Sequence, residues 1–275
     1  MNTLMRRPTW LTAALYTCAA TCALIALGPA LWLLYAACRP QGESLTSVHF
    51  TGFTLDNFRI AWTDGGLANP MLMSIMLTLL RATLNVALAA LAAYPLARMT
   101  FRGKKVLLAL ILATMMVPEQ VVIVPVFRTV VSLGMYDSLI GVLLPYSVTA
   151  FGMYLCRNAF AAVPNELEEA ARMDGASSLT IFRHVMLPLA APTLATLALF
   201  AAIGAWSDLL WPLVVLNSRD QYTLPVALSG LMGQFSTNMR AAFAGSVIAL
   251  APIILLFIII QRFFKPEIFA GGVKG

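Results

Sequence analysis

Apolar residues fall in six long runs, Leu11 to Ala37, Met71 to Ala97, Val106 to Phe127, Ser138 to Leu155, Leu189 to Leu213 and Ala241 to Ile260, with short polar stretches between them. About twenty apolar residues suffice to cross a bilayer as helix, and backbone groups in hydrocarbon must be bonded within the segment. The pattern therefore predicts an all-α, polytopic membrane protein, one domain over 1–275 with six transmembrane helices. The fourth run is the shortest and contains Pro145, and the fifth contains Pro192 and Gly204. Those two are expected to bend or break, as helices lining transport pathways do. Arg6 and Arg7 precede the first run, which is too long for a signal-peptide core and reads as a retained helix.

One polar interruption differs from the others. From Val163 to Pro192 the chain places three glutamates, two arginines, an aspartate and a histidine between two apolar runs, within a loop of about 158–188. Pro164 disfavours helix just before it, Asn165 is a good N-cap, and Glu168 stands at capping-box spacing. Glu166, Glu168 and Glu169 then occupy a first turn, where the helix dipole favours carboxylates. Gly175 is placed to take positive φ at the helix end, and Ser177 or Ser178 to cap a second helix running to Pro188. Leu179, Phe182 and Met186 are expected on one face of that helix. Small Ala170 and Ala171 beside Glu169 suggest a close-packed docking face; a solvated surface hairpin is the plainer alternative.

Composition agrees with the run pattern. Sixty per cent of residues are hydrophobic and 11% are charged, against about a quarter charged in soluble domains. With the amino terminus inside, twelve of the eighteen lysines and arginines lie in cytoplasmic segments and five in outer ones, leaving Arg81 within a span. Both termini and the charged loop are then cytoplasmic, and orientation accounts for the net charge of +6 without nucleic acid. The outer segments, Arg39 to Pro70 with an amphipathic turn through Leu55, Phe58, Ile60 and Trp62, and Asn217 to Arg240, form either a surface for a delivery protein or ordinary connections.

Arg81, Glu119 and Asp208 are charges inside spans, all toward the outer half. Two readings fit. In one they line a solute route with Gln120, Trp206 and Trp211 as hydrogen-bonding and stacking surfaces; in the other Arg81 snorkels outward or pairs with one carboxylate and the tryptophans form an interfacial belt. Catalytic chemistry finds no footing. His49 and His184 fall on opposite membrane sides, no Ser/His/Asp set can be assembled, and no metal-ligand spacing occurs. Cys18, Cys22, Cys38 and Cys156 read as small buried hydrophobes. Gly103, Lys104 and Lys105 lack the rest of a phosphate-binding loop, so ATP must act on another subunit.

The segment E-A-A-R-M-D-G-A (Glu169 to Ala176), followed by V-M-L-P (Val185 to Pro188), resembles the EAA loop of ATP-binding-cassette importer permeases. A-Y-P-L-A-R with F-R-G-K (Ala93 to Lys104), M-V-P-E-Q-V-V-I-V-P (Met116 to Pro125), T-L-P-V-A-L-S-G-L (Thr223 to Leu231) and the terminal A-G-G-V-K-G extend the likeness to most of the chain, closest to carbohydrate permeases of the maltose-transporter type. Val185 replaces the usual isoleucine, and W-S-D (Trp206 to Asp208) stands where Trp-Asn is common. The resemblance implies the type I importer permease fold. It also implies a non-catalytic subunit in a bacterial or archaeal inner membrane, passing a sugar or sugar-like solute from an extracytoplasmic binding protein. Its implied partners are a second permease, two ATPase subunits that carry ATP and magnesium, and membrane lipid. Glu166, Glu169, Ala170, Ala171, Asp174 and Gly175 become the ATPase-coupling residues, and Lys265 to Gly275 a tail reaching the ATPase. A self-sufficient secondary transporter or channel is the alternative, and a membrane-embedded enzyme a third reading.

Overall fold

The computed structural model describes residues 9–42, 52–234 and 239–260. Among them every regular element is helical: α1 (Thr9–Ala37), α2 (Asp56–Thr63), α3 (Ala68–Arg98), α4 (Lys104–Thr114), α5 (Glu119–Ser132), α6 (Leu139–Leu143) and α7 (Ala150–Ala161). These are followed by α8 (Asn165–Met173), α9 (Ser178–Ile181), α10 (Leu187–Leu189), α11 (Ala191–Ser207), α12 (Leu210–Val215), α13 (Leu224–Gln234) and α14 (Met239–Ile260). Arg6, Arg7, His49 and the tail from Lys265 to Gly275 lie outside the described residues.

The described residues form two compact units, one up to Gly66 with Gly230–Leu250, the other Leu67–Ser229 with those from Ala251 onward. In the first, α1 turns Tyr16, Leu24 and Ile25 outward, a surface that lipid solvates and water would not. Cys18 and Cys22 are exposed on it as well, rather than buried as expected. The end of α1 is closed by Asn57, fully buried, whose Nδ2 donates to the carbonyls of Ala37 and Arg39, both at 2.8 Å. Carbonyls past a helix end need such a donor. The amphipathic turn expected around Phe58 is a helix, α2, but it buries Asn57 and Ala61 and leaves Leu55 and Trp62 exposed.

The second unit is arranged around α3, 31 residues long, which packs along α7 and α11. Ala89, Ala90 and Ala93 are fully buried there and let the backbones approach closely. They share an apolar cluster with Tyr94, Phe160, Ile181, Phe182, Met186 and Leu197. A second cluster gathers Leu77, Val130, Val142, Trp211 and Val215. Leu77 and Tyr94 are separated by roughly 25 Å of helix, so the clusters sit nearly a hydrocarbon thickness apart.

The six runs resolve into three unbroken helices long and apolar enough to span, α1, α3 and most of α14, and three bent pairs. The fourth run bends by 46° between α6 and α7, around a 3-10 turn at Leu144–Tyr146 containing Pro145. The fifth bends by 77° at Ala190, two residues before Pro192, and then runs through Gly204 without interruption to Ser207. It stops there instead of at Leu213, because Asp208 is extended. The third run, expected to be continuous, breaks by 101° between α4 and α5. Pro118 has no N–H and excludes Val117 from helix. The preceding amides of Met115, Met116 and Val117 tighten onto the carbonyls of Leu112, Ala113 and Thr114. The segment from Asn217 to Arg240 is also more than a loop: it contains α13, whose Leu224 N–H donates to the buried Ser74 hydroxyl at 2.7 Å.

Candidate functional site

The charged stretch folds as the expected helical hairpin, with its local chemistry partly rearranged. α8 starts at Asn165, but the Asn165 side chain makes no cap. Its Oδ1 accepts from Nη1 of Arg98 at 2.5 Å instead. Glu168 does not complete a capping box; it is buried, with Oε1 at 2.8 Å from Nη2 of Arg172 and Oε2 at 3.6 Å from Nε of Arg98. The Glu168 carboxylate, by hydrogen bond and then by charge, raises the Arg172 guanidinium further above its ordinary range.

The turn out of α8 closes as expected. Gly175 takes φ 80°, its N–H donates to Arg172 O, and the Ala176 N–H reaches back to Ala171 O at 2.9 Å. This is a Schellman end, with Ala171 and Ala176 both packed on the first apolar cluster. Ser177 caps the second helix, its Oγ accepting from the Thr180 N–H at 3.3 Å. Beyond it Phe182–Met186 forms a π turn. The extra residue of that turn rotates Met186 toward Ile181, so the buried face is Ile181, Phe182 and Met186, whereas Leu179 is 70% exposed.

With Glu168 and Ala171 facing inward, helical spacing places Glu166, Ala170 and Met173 along the opposite face of α8, flanked by Glu169 and Asp174. All five are exposed, Met173 by 88%. The result is a strip of three carboxylates, an alanine and an exposed methionine on a helix held from behind. Sequence reasoning missed what holds it. Arg98, the last residue of α3, has a side chain 7% exposed and donates from Nη2 to the carbonyls of Phe160, at 2.6 Å, and Val163. Its place inside the A-Y-P-L-A-R motif is the one signal the chain offered.

Near the middle of α3 the charges within the apolar runs divide. Arg81 Nη1 donates to Asp208 Oδ2 at 2.9 Å, and its guanidinium carbon lies 4.9 Å from the centre of the Tyr146 ring. Asp208 Oδ1 accepts the Trp211 N–H at 3.3 Å, and the Trp211 indole meets Tyr146 edge-on at 5.6 Å. Glu119, Gln120, Ile123, Tyr146, Ser207, Asp208 and Trp211 line a cleft of about 320 Å³. Five of the six candidate pathway residues thus belong to one neighbourhood, Arg81 reaching it through Asp208 and Tyr146. Trp206 is apart, against an apolar recess with Ile75, Thr78, Leu79 and Pro252. Trp206 and Trp211 are both buried, so neither belongs to an interfacial belt.

Comparison with known proteins gives this arrangement a family. The chain is 35% identical over 263 residues to an arabinooligosaccharides transport system permease protein of Halalkalibacterium halodurans, covering 92% of this chain and 93% of that one. It is 34% identical over 259 residues to a trehalose transport system permease protein of Mycobacterium tuberculosis, covering 91% and 93%. Among solved structures, a bacterial ABC transporter involved in the import of the acidic polysaccharide alginate shares the fold with a TM-score of 0.81 at 24% identity, covering 96% of this chain and 100% of that chain. A bacterial alginate ABC transporter in complex with an alginate pentasaccharide-bound periplasmic protein matches at a TM-score of 0.65 and 16% identity, covering 92% of each. A family model for the binding-protein-dependent transport system inner membrane component matches residues 85–270. The chain belongs to that family: it is a multi-pass membrane permease subunit of a binding-protein-dependent transport system.

Proposed function

We propose that this chain is one of two permease subunits of an ATP-driven importer for a sugar or sugar-like solute, and that α8 is the helix by which ATPase subunits drive it. ATP and magnesium reside on those subunits, and an extracytoplasmic binding protein delivers the solute. Sugar-related names among the relatives, arabinooligosaccharides and trehalose, support the solute class. The excess of lysine and arginine around the hairpin supports a cytoplasmic position for it and for both termini.

The observation that carries the coupling assignment is the outward strip of α8. Met173 and Leu179 are solvent-exposed apolar side chains in a charged hairpin, and Ala170 between Glu166 and Met173 leaves room for another protein's surface. Glu169 offers a carboxylate to a basic group there. ATP favours the closed ATPase pair, so seated helices are drawn together and bias the spans between inward-facing and outward-facing states. The cleft at Glu119, Gln120, Asp208 and Trp211 is then part of the solute route. Its carboxylates accept hydrogen bonds from hydroxyl groups.

The test is purification in gentle detergent of the tagged chain and its Glu169→Lys variant from the native cell. A second permease and an ATPase should accompany the wild type, and the variant should reach the membrane without the ATPase. A chain recovered alone, which conducts solute after reconstitution, would make it a self-sufficient transporter or channel.

A further inference from the structure

The attachment of α8 to the rest of the second unit is unusual in kind. Its backbone neighbours are chiefly α9. Toward α3 there is a polar gap of about 320 Å³, lined by Ala97, Arg98, Asn165, Glu168, Glu169 and Arg172. Beside the contact of Ala171 on the first apolar cluster, the Arg98 guanidinium bridges that gap. Nη2 holds the carbonyls of Phe160 and Val163 at the end of α7, Nη1 holds Asn165 Oδ1, and Nε faces Glu168 Oε2 across 3.6 Å. One planar fork thus ties three elements together at the end of the helix around which the second unit is arranged.

We propose that Arg98 is the positioning residue through which displacement of α8 is passed to α3, and so to the spans. This rests on the reading of α8 as the ATPase-contacting helix. Two features suit it to the task. The donors are directional, so α8 cannot tilt without straining bonds to α3 and α7 together. The Glu168 carboxylate is shared between Arg98 and Arg172, so the grip can tighten on either arginine without leaving a buried charge bare. Lysine cannot replace this arrangement: an ammonium keeps the charge but lacks the fork that reaches two carbonyls and an amide oxygen at once. The outward residues Glu166, Ala170 and Met173 make none of these bonds, and Glu169, which borders both the strip and the gap, has no bond to Arg98, so docking and transmission are separable.

The experiment uses the complete transporter from the native cell, reconstituted in lipid nanodiscs as wild type, Arg98→Lys and Glu168→Gln. Two quantities are measured: the ATPase recovered per permease, and the stimulation of ATP hydrolysis by the solute-binding protein as co-purified from the same cells. Arg98→Lys should retain the ATPase while stimulation falls by about fivefold or more. Wild-type stimulation in Arg98→Lys overturns the proposal. Loss of the ATPase from that variant also overturns it, because Arg98 would then be shaping the docking surface. If Arg98→Lys does not accumulate, Glu168→Gln decides by the same criteria, since it keeps Arg98 and removes the shared charge. A wild-type chain that brings no ATPase overturns the reading of α8 itself, and the proposal with it.

Discussion

Arg81 on α3 and Asp208 at the end of α11 form an ion pair at 2.9 Å, with side chains only 12% and 16% exposed. The pair ties the middle of α3 to the break after α11, and both charges depend on it. Removing one partner leaves the other desolvated without compensation, typically a loss of about 3 kcal/mol. Arg81→Gln and Asp208→Asn should each lower the melting temperature in detergent. The double variant should lose less than the sum of the two, by about 1 kcal/mol or more. Strict additivity would show that the two charges act independently.

Gly175 adopts φ 80°, with nothing within 4 Å of where a Cβ would stand. The constraint there is conformational and owes nothing to crowding. Gly175→Val should cost about 1–2 kcal/mol and loosen the Schellman end, seen as faster hydrogen exchange at Gly175 and Ala176. Gly175→Asn, which tolerates the left-handed region, should exchange much more nearly like the wild type. Equal exchange in all three would remove the conformational explanation.

Asp137 has φ 52° and accepts from the Ser218 hydroxyl and the N–H groups of Ser218 and Asn217. Those donors, the Ser218 hydroxyl first, hold its carboxyl below the usual carboxylate range. A depressed pKa in the folded state means a contribution fully present above the ordinary value of about 4 and lost as pH falls below it. Amide exchange at Asn217 and Ser218 should therefore rise on acidification in the wild type, beyond the intrinsic rate. In Asp137→Asn the protection should no longer depend on pH over that interval.

Features written in single residues or short spacings were legible in the chain. Gly175 announced a left-handed helix end, Ser177 or Ser178 a cap, and the run lengths the apolar helices and bent helix pairs long enough to span, because each follows from local stereochemistry or from bilayer thickness. Features created by distant partners were not. Asn165 and Glu168 have the spacing of a capping box, yet Arg98 claims the Asn165 side chain and Arg172, with Arg98 behind it, the Glu168 carboxylate, and nothing local says that an arginine as far back as Arg98 will be there. Leu179 failed for another reason: the π turn shifts helical phase by one residue, which a fixed period cannot anticipate. The break at Pro118 had its signal in Val117-Pro118, but the apolar run on either side hid it. Trp206 and Trp211 are close in sequence and serve different surfaces because the chain becomes extended at Asp208 between them.

α3 carries two guanidiniums about 25 Å apart along its axis, Arg81 paired with Asp208 and Arg98 facing Glu168. Sliding the helix along its axis by one turn, about 5.4 Å, would draw both of them away from their partners and leave desolvated charges unpaired. The two ion pairs therefore fix the register of α3 along its axis against the segments that carry Asp208 and Glu168.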